Sequence, residues 1–320
     1  SRAIVISAGL SGLLIDGNTI HSLRQPAYVS GPTTGTVSDN VVYGTRGFVL
    51  ENGDLTFTGN SWGSGNTFDI VVLDVAGGTY YTDIVALSDA NDDAVVEDQR
   101  PAQDVLSIVS VDDGAAGGGN GGRVQPYQTI GAAIPRVVSG GRVEVAAGTY
   151  VEDVDVTKSA TIQGAGAGST TVSGPSGGPG ATFTVNALDV VIEGFTITRE
   201  GNTVATWNDA GLNFAGIAIQ GLSGKSMEVR HNVITGNRTG IDINNNGGAH
   251  VHNNAIDFNH TGMILRNTTD DVVLEENEIT NNRTVGVLFL DASSGSNVPV
   301  QSALDGSFSG NDISGNWYGG

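Results

Sequence analysis

The sequence predicts an all-β fold, a right-handed parallel β-helix of about 22 residues per rung with a short capping helix. Three observations carry this. Asparagines recur at a fixed interval, glycine is abundant while aromatics are scarce, and helix-period patterning is nearly absent. The stretches "EVRHNVITGNRTGIDI", "HVHNNAIDFNHTGMIL" and "VLEENEITNNRTVGVLFL" align Asn232, Asn254 and Asn277 at intervals of 22 and 23. Ile234, Ile256 and Ile279 align with them, as do Asn237, Asn259 and Asn282, and then Gly240, Gly262 and Gly286. Each unit reads as a short strand, an Asn turn, a strand, a Gly turn and a third strand. Near the start of the chain Asn18, Asn40 and Asn60 repeat the pattern at intervals of 22 and 20. A single rung cannot bury its own apolar face, so stacking must supply the core. Asparagines at equivalent turns can then bond side chain to backbone from rung to rung, forming a structural ladder.

Composition agrees. Gly accounts for 48 of 320 residues and aromatics for 6%, without the Gly-X-Y period of collagen. Asp and Glu number 34 against 14 Lys and Arg, a net charge of −20. Such a surface repels nucleic acid and anionic lipid, and no run approaches the 18 apolar residues that membrane insertion requires. Zero cysteine excludes disulfides and thiolate metal sites.

One stretch departs from the rung pattern. "DDGAAGGGNGG", "PYQTIGAAI" and "GGRVEVAAGTYVEDVDVTKSATIQGAG" follow one another, with a helix expected over 127–138 that Pro135 shortens. These segments resemble the pectate-lyase-like superfamily of β-helix proteins over about residues 108–200, and 1–62 and 201–320 resemble it at the level of generic rungs. The resemblance implies that this segment caps a β-helix. A cap inside the chain divides it into residues 1–103, the final rungs and finishing segment of one β-helix, and 104–320, the cap and first rungs of another, with Pro101 at the boundary. "GNWYGG" ends where a strand is due and "SRAIVI" begins on one. Ile4, Ile6, Asn316, Trp317 and Tyr318 are therefore expected to join copies of the chain head to tail or in tandem. The implied role is a structural unit of an extracellular filament, surface layer or giant adhesin. The alternative is a carbohydrate-active lyase or hydrolase, or a polysaccharide-binding module.

Catalytic chemistry on this scaffold needs carboxylates converging from adjacent rungs. Asp242 should point outward, but the equivalent positions are Ala218, Ile264 and Leu288, with Val5 and Val49 earlier in the chain. That column contains no acid cluster. An apolar stripe of this kind suits a partner surface. "SDANDD" (Asp89, Asn91, Asp92, Asp93) and "DDGAAGGGN" (Asp112, Asp113, Asn120) have the oxygen density of calcium loops without matching an EF-hand. Ca2+ is the expected cofactor there, and solvated acidic turns are the plainer reading. His231, His250, His252 and His260 lie close in sequence. They read as a polar surface ladder, with a divalent-metal site as the alternative.

Overall fold

The computed structural model describes residues 1–73, 84–100, 105–117, 119–201, 203–207, 209, 214–221, 227–290 and 304–319. Pro101 lies outside them. The chain is a parallel β-solenoid of about 23 residues per turn. It divides into two units, residues 1–110 with 115–127, and 111–114 with 128–320.

In the first unit Arg2–Ile6, Gln25–Val29, Phe48–Leu50, Ile70–Val72 and Val96–Asp98 form one parallel sheet. Leu13–Asp16, Thr34–Ser38 and Asp54–Thr58 form a second, and Thr19–His21, Val41–Tyr43 and Ser61–Trp62 a third. Val5, Tyr28 and Val49 occupy one register column. A short helix, Ile84–Asp89, buries Ile84, Val85 and Leu87. Six residues are too few to display a 3.6-residue period, so the sequence did not announce it.

In the second unit the rungs are regular enough to trace the core residue by residue. Ile162, Ile192, Val229, Val251 and Leu274 follow one another in register on one sheet. Val172, Ile197, Ile234, Ile256 and Ile279 do so on another. All ten are at most 1% exposed. Burying each such side chain contributes roughly 1.5–3 kcal/mol, which is how a narrow stack without large aromatics holds together. Close packing also fixes the glycine column. A Cβ on Gly240 would stand 2.5 Å from the carbonyl oxygen of Gly262, and 2.8 Å from Ile256 Cγ2.

The asparagines run along both units as amide ladders. The backbone N–H and side-chain Nδ2 of Asn232 both donate to Asn254 Oδ1, at 3.1 Å each. Asn254 donates likewise to Asn277, and Asn277 to Asn311. A second ladder joins Asn237, Asn259, Asn282 and Asn316 in the same manner. In the first unit Asn18, Asn40 and Asn60 form the corresponding series, and it ends at Asn91.

The cap is shorter than the expected 127–138. Thr129 Oγ1 accepts from Ala132 N–H, the helix runs Ile130–Ala133, and a single 3-10 turn covers Ile134–Arg136. Pro135 brings no N–H to continue it, and Val137 is already extended. Ile130 and Ile134 are fully enclosed. The free N–H groups at the helix start donate to Glu152, with Ile130 at 2.7 Å and Gly131 at 2.9 Å.

Candidate metal centre

Strand Ala249–His252 carries two imidazoles on one face because alternate residues of a strand point the same way. Register then sets Glu228, from Met227–Arg230, directly beside His250, and Arg230 beside His252. The result is a compact group: the ligating atoms of Glu228, His250 and His252 all lie within 4.8 Å of one another. His252 Nε2 is 2.7 Å from Glu228 Oε1. The two imidazole rings stack with centroids 4.1 Å apart.

The surroundings hold these groups in place. Asn253 Oδ1 lies 2.8 Å from His252 Nδ1, and its amide nitrogen donates to Glu276, which fixes the amide's orientation. Arg230 donates to Glu228 at 2.7 Å and to Glu193 at 2.5 Å. Burial pushes the Glu228 carboxyl up, but hydrogen bonds from His252 and Arg230 outweigh it and keep the group below the usual glutamate range. Glu228 is therefore an anion at neutral pH, on a partly exposed face of the sheet. His250 faces a further carboxylate, Glu275, at 3.5 Å.

The family model described as periplasmic copper-binding protein (NosD) matches residues 138–319, more than half of the chain. The chain belongs to the NosD family. Among curated proteins and among solved structures nothing matches. No helix of the described residues is long and apolar enough to cross a membrane.

In this NosD-family chain the four histidines separate. His250 and His252 share the cluster, His231 reaches its edge with a ring centroid 6.1 Å from that of His252, and His260 lies at a different turn. Glu228 was not singled out in the sequence. The signal that finds it is the rung period, since it precedes His250 by 22 residues.

The residues expected to bind Ca2+ are placed as follows. Asp89 ends its helix and lies 3.9 Å from Arg123. Asn91 is fully buried, and its amide bonds Phe57, Leu87 and Asn60 as the last member of the ladder. Asp92 and Asp93 are exposed, both with positive φ. Asp112 accepts from Gly114 N–H, and Asp113 from Thr149 N–H. Asn120 is turned inward, donating to Val96 and Gln125 and accepting from Gly122 N–H. Among the described residues only Glu228, His250 and His252 form a group of three or more ligands. Of the assembly residues, Ile6 is buried and Asn316 closes a ladder, while Trp317 and Tyr318 are 77% and 76% exposed. Asp242 is not a free base. Arg266 grips it through two hydrogen bonds, of 2.8 and 2.5 Å.

Proposed function

We propose that this chain is a β-helical scaffold of the NosD family that binds a divalent transition-metal ion of the copper(II) class through Glu228, His250 and His252. The observation that carries the reading is the convergence of two imidazoles and one carboxylate on a partly exposed sheet face. The donor set suits the ion. Imidazole nitrogen with carboxylate oxygen favours Cu(II), whereas Cu(I) prefers thiolate or thioether. The chain has no cysteine, and both methionines, Met227 and Met263, are buried in the core. His252 is already oriented through Nδ1 toward Asn253, leaving Nε2 as the ligand atom. Glu228 Oε1, 2.7 Å from that nitrogen, would supply the carboxylate oxygen. The family's description as a copper-binding protein of the periplasm supports both the ion and a location outside the cytoplasm. Calcium at the acidic loops has less support, because Asn91 and Asn120 spend their amides on the fold.

Titration with Cu(II) should show one tight site whose electron paramagnetic resonance spectrum carries coupling to imidazole nitrogen. His250→Ala and His252→Ala should each weaken it by at least about tenfold. Retention of the spectrum and affinity in the double variant would place any copper elsewhere and overturn the assignment.

The broader role we infer is structural, as part of a filament, surface layer or adhesin. Its support is exposed apolar surface at Val5, Trp317 and Tyr318. Sedimentation velocity over a hundredfold range of concentration should show association. A constant monomer would count against it.

A further inference from the structure

The protein carries a large excess of acid, and five of its twelve arginines sit close against it. Arg100, Arg142, Arg199, Arg230 and Arg266 each lie within 2.9 Å of a carboxylate. Arg24, Arg46, Arg238 and Arg283 do not. Among the described residues these four form no ion pair, although arginine on an acidic surface ordinarily finds one.

Their positions are not scattered. In the second unit Arg238, His260 and Arg283 each follow directly on a member of the second amide ladder, Asn237, Asn259 and Asn282. They therefore occupy one turn on successive rungs, about 4.8 Å apart. Burial lowers the pKa of His260, and the positive charges of Arg238 and Arg283 lower it further. The first unit repeats the arrangement. Thr45 N–H donates to Asn66 Oδ1 there, as Asn237 N–H donates to Asn259 Oδ1, and Arg46 follows Thr45 as Arg238 follows Asn237. Arg24 precedes Arg46 by one rung, with Arg46 N–H bonded to the Arg24 carbonyl.

His260, Arg283, Thr284, Trp317 and Tyr318 line a cleft of about 480 Å3, and Arg24 and Arg46 line one of about 710 Å3. Beside the first, the Arg283 guanidinium lies 6.0 Å from the Trp207 ring, an arrangement that steadies it. The Trp207 indole N–H is buried and has no acceptor among the described residues. Cations without anions among the described residues leave this cleft short of negative oxygen.

We infer that the turn formed by Arg238, His260 and Arg283 binds an oxyanion of the phosphate or sulfate class, with Trp317 and Tyr318 forming an apolar rim for whatever organic group it carries. The planar guanidinium fork matches tetrahedral oxyanions through paired N–H bonds. A doubly charged anion gains most from cationic side chains on successive rungs. The site shares no residue with the metal cluster and stands independently of it.

The test uses the full, metal-free chain in calorimetric titrations with inorganic phosphate, sulfate and phenyl phosphate, at ionic strength held constant with sodium chloride. Saturable binding is expected, tighter for phenyl phosphate than for inorganic phosphate because of the rim. The relative affinity for phosphate and sulfate assigns the anion. The double variant Arg238→Gln/Arg283→Gln changes only exposed side chains and should bind at least about tenfold more weakly. Arg142→Gln, at an exposed arginine paired with Glu144, should bind like the parent. Absence of saturable binding to all three anions overturns the proposal. So does equal affinity in the double variant, or an equal loss in Arg142→Gln, which would reduce the effect to net charge.

Discussion

Replacing Asn254 with alanine should destabilise the second unit by about 3–5 kcal/mol, a large loss for a single buried polar residue. The size follows from what the side chain does. Its Nδ2 donates to the Val229 carbonyl at 2.8 Å and to Asn277 Oδ1 at 3.0 Å. Its Oδ1 accepts from both the backbone and the side chain of Asn232. Alanine takes a hydrogen bond from the Val229 carbonyl and from the buried backbone N–H of Asn232, while Asn277 Oδ1 keeps the backbone N–H of residue 254, and an unsatisfied buried group costs about 1–3 kcal/mol. The losses do not add fully, since the ladder can relax around the gap. Asn18 provides the contrast. It is exposed at the end of its ladder, and its side chain only donates, to Asn40 and Asp16. Asn18→Ala should cost below about 1 kcal/mol. Thermal and urea midpoints of the two variants decide the matter. Equal shifts would mean that the amide ladders are incidental to stability and that the aliphatic columns alone hold the rungs.

That contrast also explains what the sequence could disclose. A solenoid repeats its chemistry, so Asn232, Asn254 and Asn277 displayed the rung period directly, as did the isoleucines beside them. Asn91 did not, although it continues the ladder of Asn18, Asn40 and Asn60. It lies 31 residues beyond Asn60, displaced by an inserted segment, and is surrounded by aspartates that gave it the look of a calcium loop. Asn120 is hidden for the same reason: an amide in an acidic, glycine-rich stretch resembles a ligand, and its three hydrogen bonds appear only in the fold. The metal cluster was half legible. Alternation along one strand pairs His250 with His252, but Glu228 enters through the register between neighbouring strands, and only a residue-level alignment of rungs reveals that. The unpaired arginine column is a property of absent partners, which no repeat pattern announces.

A second large effect is expected at Arg199. Its side chain is wholly enclosed and that of Asp153 is 11% exposed. Arg199 Nη1 donates to Asp153 Oδ1 at 2.9 Å, and Nη2 donates to the Gly180 carbonyl at 2.5 Å. Gly174 makes room, for a Cβ there would stand 2.2 Å from Nη1. Burial raises the Asp153 carboxyl although Arg199 opposes it, and burial lowers the guanidinium although Asp153 opposes that. Desolvation therefore outweighs attraction at both ends, and the pair as a whole adds little net stability. Removing one end is a different matter. Arg199→Ala strands a largely buried carboxylate and should cost about 3–5 kcal/mol near neutral pH. Asp153→Ala/Arg199→Ala removes both charges and should recover part of that loss. The pH dependence separates charge from packing. Without Arg199 the folded-state pKa of Asp153 rises further above its unfolded value. The penalty is then absent below the unfolded pKa and sets in as pH rises through the folded one, so the deficit of Arg199→Ala relative to the parent should shrink between pH 7.5 and pH 4. Urea unfolding of the parent and both variants at the two pH values measures this. A deficit equal at both pH values and in both variants would show that Arg199, whose guanidinium lies 5.4 Å from the Phe214 ring, serves by filling space there rather than by balancing Asp153.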